Sequence, residues 1–238
     1  MTNERANGSD HYPLLGTGIY TVPEASRLTQ IRTLRIRRWL RGYDFMSSGV
    51  LRHSGPVFSP DLPEINGRLA LSFLDLLEVR YIEAFVHHGV TWPVMRDVYS
   101  RAVQLVGTTH PFSTRKFRSD GASILAQLGE GEPVGWLDLR TRQQCFRFIE
   151  KFLFTGIEYG KNDHPTQWWP REKRGGVLLD PHRRFGQPIT AEKGIPTLIL
   201  AQAYKAEKTY KAVARWMEVD QKTVRQAVEF ERSLALAA

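Results

Sequence analysis

Six arginines and no acidic residue lie between Ala25 and Tyr43, and their spacing constrains most of this segment to a helix with two opposite faces. Apolar side chains recur there at intervals of three, four and seven residues, the spacing of one buried helical face: Ile36, Trp39, Leu40 and Tyr43. The opposite arc carries only positive charges: Arg35, Arg37, Arg38 and Arg41. Like charges three or four residues apart repel by roughly a few tenths of a kcal/mol. We therefore expect this face to meet a polyanion or an acidic partner, and to be free of carboxylates from elsewhere in the chain.

A shorter helix is predicted just before this one. Thr21 or Val22 is expected near its N-cap, and Pro23 is tolerated in a first helical turn. A turn is predicted around 29–33, and the second helix over 34–41 ends before Gly42. Apolar side chains of the first helix and the turn would support the second helix from behind: Ala25, Leu28 and Ile31. Two short helices in this order predict a helix-turn-helix.

The arginine face of the second helix suits the major groove of duplex DNA. Some of its arginines would neutralise phosphates, and one or two near the helix start would contact guanine. The residues predicted to bind DNA are Arg32, Thr33, Arg35, Arg37, Arg38 and Arg41. The overall charge agrees, since 33 lysines and arginines against 25 acidic residues leave a net charge of +8. RNA and an acidic protein stay open as alternative partners.

The middle of the chain is predicted to combine helices with loops and short strands. Residues 45–64 are expected to form a loop with room for a short wing. Residues 64–88 form a strongly apolar helix, which is either deeply buried or half of a dimer interface. A further helix is expected between Thr91 and Gly107.

Turn-forming residues after Pro111 predict a small antiparallel hairpin array. The turns are placed at 119–121 and 129–131, and the strands at 123–128 and 134–139. A helix at 141–153 and strands at 156–159 and 177–180 complete the central region.

Three helices are predicted at the C-terminal end, over 197–205, 209–217 and 221–236, with Asp220 capping the last. Their shared core is predicted to hold Val213, Trp216, Met217, Val219, Val224, Ala227 and Val228. The predicted fold class is therefore mainly α with a small antiparallel β part: an N-terminal helix-turn-helix, a central α and β region, and a C-terminal three-helix domain.

Catalytic, metal and cofactor sites are not expected. The adjacent His87 and His88 would point about 100° apart on a helix, and the glycines at 16–18 lack the pattern of a nucleotide loop. The lone Cys145 is interpreted as core filler, and the acids Glu150, Glu158 and Asp163 match no catalytic template. No run is long and apolar enough to span a membrane, and no signal peptide is recognised, so a cytoplasmic protein is expected.

The N-terminal motif resembles the first helix-turn-helix of MerR-type regulators. Their pattern E-A-A-R…I…T-L-R-x-W is similar to Glu24-Ala25-Ser26-Arg27, Ile31, Ile36-Arg37 and Trp39. The resemblance implies binding to DNA by this part of the chain.

A second resemblance covers the C-terminal part and extends to most of the chain, roughly residues 19–231. Asp180-Pro181, Phe185-Gly186-Gln187-Pro188 and Gly194-Ile195-Pro196-Thr197 resemble the D-P…F-G-x-P…G-I-P-T motif of VapB-like antitoxins. The resemblance implies a type II antitoxin that neutralises a PIN-like ribonuclease toxin and represses its own operon. A homodimer is expected through the apolar helix at 64–88, and the lack of a catalytic arrangement predicts no enzymatic activity. The predicted divisions are a disordered segment at 1–18, a DNA-binding domain at 19–63, a dimerising central region at 64–176 and an antitoxin domain at 177–238.

Basic residues near a tryptophan pair are the candidate toxin contacts, because a nuclease of this kind collects carboxylates around its metal. The candidates are Arg171, Arg174, Arg183 and Arg184. An aromatic plug over the core edge is the alternative interpretation of Trp168 and Trp169. Two other functions stay open for the whole chain: a stand-alone transcription regulator that senses a ligand in residues 64–160, and a nuclease attracted to nucleic acid by the same charge.

Overall fold

The structure is a computed structural model that describes residues 14–128, 147 and 153–235. Within these residues the chain forms eight α-helices and four two-stranded antiparallel sheets, so the predicted mainly α fold with a small β part is confirmed. The helices are α1 (Val22–Thr29), α2 (Thr33–Arg41), α3 (Phe73–His87), α4 (Trp92–Val106), α5 (Arg115–Leu128), α6 (Thr197–Glu207), α7 (Tyr210–Trp216) and α8 (Gln221–Ala235). None of these helices has the length and apolar character required to cross a membrane.

The strands join segments that are distant in sequence as well as neighbouring ones. They are β1 (Tyr20–Thr21), β2 (Tyr43–Ser47), β3 (Val50–Ser54), β4 (Ala70–Leu71), β5 (Ile157–Tyr159), β6 (Pro165–Trp168), β7 (Val177–Leu178) and β8 (Ile189–Thr190). Strand β1 pairs with β4, β2 with β3, β5 with β6 and β7 with β8. The strands predicted at 156–159 and 177–180 are thus present in shorter form.

The central helix α3 is buried on nearly all sides by its own chain. Its buried residues are Phe73, Asp75, Leu76, Leu77, Glu78, Val79, Tyr81, Ile82, Ala84 and Phe85. It begins at Phe73 rather than at residue 64, because Ser72 and Asp75 form a capping box and the preceding residues pair with β1. Burial within one chain accounts for its apolar character and removes the reason for placing a dimer interface on it.

The prediction of a strand at 123–128 and a turn at 119–121 is wrong, because both segments belong to α5. Thr114 Oγ1 accepts a hydrogen bond from the Phe117 amide at 3.0 Å at the start of this helix. Buried side chains then follow a helical period: Phe117, Ile124, Leu125 and Leu128. This period outweighs the local turn preference of Ser119-Asp120-Gly121. The strand predicted at 134–139, and nearly all of the helix predicted at 141–153, which includes Cys145 and Glu150, lie outside the described residues.

The three predicted C-terminal helices are confirmed as α6, α7 and α8, which surround a core of their own. Val213 and Val224 are fully buried there, but Trp216 is 67% exposed, so its predicted place in this core is wrong. The buried side of α7 is formed by Val213, Ala214 and the partly buried Met217. Trp216 lies roughly 100° around the helix from the middle of that side.

Candidate nucleic-acid interface

Local sequence forms two short helices, α1 and α2, where the sequence predicts them. Thr21 and Glu24 form a capping box at the start of α1, where the Glu24 amide donates to Thr21 Oγ1 at 3.3 Å. Gln30 ends α1 in the left-handed conformation, with φ of 65°. After two further residues α2 begins at Thr33, with Arg32 as its N-cap residue. Tyr43 lies beyond α2, half-buried in β2.

The apolar side of α2 anchors it to the main core. Ile36, Trp39 and Leu40 are buried, together with Ala25 and Ile31 from the preceding segment. The ring centroids of Trp39 and Trp92 are 5.4 Å apart, which joins α2 to the start of α4. A packed back surface of this kind holds α2 in one orientation and directs its polar side to solvent.

The charged side of α2 differs from the prediction at two positions. Arg35 forms a salt bridge with Glu83 of α3, and Arg41 forms one with Glu64. The expectation that the whole face is free of carboxylates from elsewhere in the chain is therefore wrong. The tertiary fold brings these two acids to the ends of the face from segments that follow α2 in sequence.

Three arginines of α2 and its N-cap stay available. Arg32, Arg37 and Arg38 are exposed, and within the described part of the chain none of them forms a salt bridge. The guanidinium of Arg38 lies over the Tyr43 ring, 4.7 Å from its centroid. These three side chains and Thr33 form the cationic surface of α2, which is the candidate contact with nucleic acid.

A β-hairpin follows α2 directly, where the sequence predicts a loop with room for a wing. Strands β2 and β3 are joined by Ser48 and Gly49, both with positive φ, which is the backbone of a tight hairpin turn. The hairpin exposes apolar side chains near its tip: Phe45, Met46, Val50 and Leu51. The apolar pairs at 45–46 and 50–51, on either side of the Ser48-Gly49 turn, were a signal for these strands.

The four candidate toxin contacts lie in two loops and differ in their freedom. Arg171 donates to the Glu229 carbonyl of α8 at 3.3 Å, and Arg174 lies 3.7 Å from Glu172. Arg183 is half-buried, while Arg184 is exposed. Arg184 is thus the candidate with the fewest contacts to its own chain.

The loop around Arg184 has a strained backbone. Arg184, Phe185 and Gly186 have consecutive positive φ values of 50°, 54° and 81°, a conformation that costs a non-glycine residue roughly 1–2 kcal/mol. The Ile19 amide donates to the Phe185 carbonyl at 3.0 Å, and the Tyr20 hydroxyl to the Gly186 carbonyl at 2.7 Å. The hydrogen bonds from Ile19 and Tyr20 therefore keep the loop in this conformation. The side chain of Phe185 is nevertheless 54% exposed.

A buried polar network joins α3 to residues 110–113, and no sequence pattern predicted it. Asp75 Oδ1 is 2.8 Å from His110 Nε2, and Glu78 accepts from the amides of Phe112 and Ser113 at 3.0 Å each. Burial raises the pKa of Glu78 to about 7, and nearby His110 lowers it in part. The capping motif Ser72-x-x-Asp75 is visible in the sequence, but its link to His110 spans 35 positions.

One group in the described residues has metal-ligand chemistry. Single donor atoms of Asp61, Asp75 and His110 lie within 4.8 Å of one another. Each acid already accepts hydrogen bonds, since Asp75 Oδ2 accepts from the Ser72 amide at 2.8 Å and Asp61 Oδ2 from Ser72 Oγ at 2.9 Å. The group is therefore explained as a structural link between α3 and the segments beside it.

No family model matches this chain. A curated protein of Mycobacterium tuberculosis (strain ATCC 25618 / H37Rv) named "Putative antitoxin VapB45" is 26% identical over 222 residues, which cover 89% of this chain and 92% of that protein. The X-ray crystal structure of Rv2018 from Mycobacterium tuberculosis matches with a TM-score of 0.66 and 22% identity, covering 88% of this chain and 96% of that one.

The structural match shows a shared fold, and the sequence match bears on the family. The aligned region includes most of both proteins rather than one motif. The MerR-type resemblance of residues 24–39 has no counterpart in these comparisons. The distant relative supports a VapB-like antitoxin family for this chain.

Proposed function

We propose that this chain is the antitoxin of a type II toxin–antitoxin system, which binds operator DNA, represses its own operon and neutralises a PIN-like ribonuclease toxin. The similarity to a curated protein that bears the name of an antitoxin supports this role, and it favours a regulator without catalysis of its own. Operator binding would place the chain with the chromosome, in the cytoplasm. A homodimer is part of the proposal, but not through α3.

One observation supports the DNA-binding half most strongly. Helix α2 buries Ile36 and Trp39 behind it and leaves Arg32, Arg37 and Arg38 exposed without an acidic partner in the described residues. A helix that is packed on one side and cationic on the other is suited to a major groove. The β2–β3 hairpin, directly after it in sequence, is in the position of a wing.

The test of this half is the salt dependence of DNA affinity. The double variant Arg37→Ala/Arg38→Ala should bind a duplex from the upstream region more weakly, with a slope of log K against log salt reduced by about 2. Lys161→Ala/Lys193→Ala removes two exposed charges from turns outside the helices and serves as the matched control. An unchanged slope in the arginine variant would exclude α2 as the contact.

The toxin-binding half is best supported at Arg184 and Phe185. A backbone conformation that costs energy and exposes an aromatic side chain is typical of a functional site, and an arginine beside it can pair with the carboxylates of a nuclease. Co-expression with the neighbouring gene tests the proposal, because growth inhibition by that gene should be relieved by this chain. Relief by the wild type but not by Arg184→Ala/Phe185→Ala would support the loop, and no inhibition by the neighbour would contradict the toxin–antitoxin assignment.

A further inference from the structure

The C-terminal helices repeat the arrangement of a helix-turn-helix at a second place in the molecule. Helix α7 ends at Trp216, a four-residue turn follows, and α8 begins at Gln221. Glu218 in this turn has a positive φ of 53°. The carboxylate of Asp220 accepts a hydrogen bond from the Thr223 amide at 2.6 Å, so it serves as the N-cap of α8.

These helices form a unit with a core separate from that of α2. Leu200 of α6, Val213 of α7 and Val224 of α8 are all fully buried in it. The C-terminal half of α8 packs against a different segment, because Phe230 and Leu234 form a separate buried cluster with Val177 of β7. The first two turns of α8 are thus held firmly, and their outer side is open to solvent.

The side chains on that outer side are the types that read duplex DNA. Gln221, Lys222 and Arg225 are exposed in the first two turns of α8. Glutamine pairs with adenine, and lysine and arginine pair with guanine or phosphate. Helix α7 adds the exposed Lys211 and Arg215.

The positive charges of this surface have one close acidic neighbour, since the charge of Lys222 acts on the Asp220 carboxylate. Within residues 210–235, which the structure describes completely, no basic side chain forms a salt bridge. The acids in this range are Glu218, Asp220, Glu229 and Glu231, of which Glu231 accepts a hydrogen bond from Thr197. Asp220 is occupied as the N-cap, and Glu229 lies beyond the second turn of α8. The part of α8 that would enter a groove therefore carries two cations and no acid.

An aromatic stack holds Arg225 in place. The rings of Tyr204 and Tyr210 are stacked with centroids 4.4 Å apart, and the Arg225 guanidinium lies 5.4 Å from the Tyr210 centroid. Arg232 lies over Tyr204 in the same way, at 5.6 Å. Stacking against an aromatic face restricts a guanidinium before it meets a partner, so less side-chain entropy is lost on binding.

We infer that α7 and α8 form a second contact with duplex DNA, independent of α2, in which Gln221, Lys222 and Arg225 enter the major groove. Duplex RNA fits this surface less well, because its major groove is too deep and narrow for side chains to read. The chain would thus have two DNA-binding surfaces, α2 in the N-terminal part of the sequence and α7 and α8 in the C-terminal part.

The test uses the full chain and a fluorescein-labelled upstream duplex of roughly three helical turns, titrated between roughly 50 and 200 mM salt. Lys222→Ala/Arg225→Ala should weaken binding about tenfold and lower the salt slope by about 2. The control Lys161→Ala/Lys193→Ala should stay within about twofold of wild type. The inference would be overturned if Lys222→Ala/Arg225→Ala had the affinity and salt slope of this control. It would also be overturned if duplex RNA of the same sequence displaced the labelled DNA as well as unlabelled DNA does.

Two further variants keep the result interpretable. Lys222→Gln alone leaves the aromatic stack intact and should lower the slope by about 1, with an unchanged melting temperature. Combining Lys222→Ala/Arg225→Ala with Arg37→Ala/Arg38→Ala should add the two losses, since separate contacts are additive. If the α2 variant keeps its DNA affinity and the α8 variant loses it, the proposed N-terminal contact is wrong and the α8 contact is supported. If the α8 variant keeps its affinity and the α2 variant loses it, the α8 contact is wrong and the N-terminal contact is supported.

Discussion

Glu83 of α3 accepts a hydrogen bond from the guanidinium of Arg35 of α2, and the two residues are 48 positions apart in sequence. The pair joins the candidate DNA-facing helix to the central helix of the fold. Burial raises the pKa of Glu83, while the charge of Arg35 lowers it. The carboxylate thereby withdraws one arginine from the cationic surface and places a negative charge beside it.

Removal of this carboxylate is expected to strengthen DNA binding. Glu83→Gln should release Arg35 toward phosphate and raise the salt slope by about 1, while stability changes by less than about 1 kcal/mol because the pair is partly exposed. Fluorescence anisotropy over a salt series measures the slope. Glu207→Gln, which removes an exposed acid from α6, is the control. Weaker binding by Glu83→Gln would show that the salt bridge positions α2 rather than restrains it.

Stability is expected to fall as pH rises through neutrality. Burial raises the pKa of Glu78 from 4.5 to about 7. Burial alone would lower the pKa of His110, but its hydrogen bond to Asp75 and the nearby carboxylates raise it. Both groups bind protons more tightly in the folded chain than in the unfolded one, so each stabilises the fold at low pH. The contribution of Glu78 is lost between about pH 4.5 and 7. The contribution of His110 is lost as the pH rises through its raised pKa.

Melting temperatures at several pH values, followed by circular dichroism, check this prediction. The contribution of Glu78 to the pH-dependent part of the free energy of unfolding is up to about 3 kcal/mol. Glu78→Gln should flatten the pH dependence, although it lowers stability at acidic pH because one of the amides of Phe112 and Ser113 loses its acceptor. A melting temperature that rises with pH, or an unaltered profile in the variant, would contradict the assignment.

Relief of backbone strain at Phe185 should stabilise the protein and weaken its partner complex. Glycine adopts a φ of 54° freely, so Phe185→Gly is expected to raise the free energy of unfolding by about 0.5–1 kcal/mol in a denaturant titration. Phe185→Ala removes the same ring but keeps the strained Cβ, so it should bring no gain. Both variants should lose toxin affinity to the same extent in calorimetry. Equal stability of the two variants would mean that strain is not stored at this residue.

Truncation of Trp39 should separate folding from DNA contact. Trp39 is fully buried and packs against Trp92, so Trp39→Ala is expected to lower the free energy of unfolding by about 3–5 kcal/mol. DNA binding should be lost with it, because α2 would no longer be held in place. Arg37→Ala, by contrast, should weaken DNA binding while the melting temperature stays within a few degrees of wild type. A melting temperature in Trp39→Ala equal to that of wild type would contradict the packing described for α2.

Local features of the sequence determined the two ends of the fold. The capping residues Thr21 and Asp220 and the helical period of buried side chains predicted α1, α2 and the three C-terminal helices with bounds close to those observed. These signals depend on residues three or four positions apart, so they can be recognised without knowledge of the rest of the chain.

Tertiary structure alone decided which of the predicted charges are free and which side chains are buried. The partners of Arg35, Arg41 and Asp75 are 48, 23 and 35 positions away, and no local pattern links residues at such separations. The turn preference of Ser119-Asp120-Gly121 gave way to α5 because burial of Phe117 and Leu125 in the common core outweighs a local preference. The sequence therefore predicted the cationic face of α2, whereas packing selected Arg32, Arg37 and Arg38 as its available members.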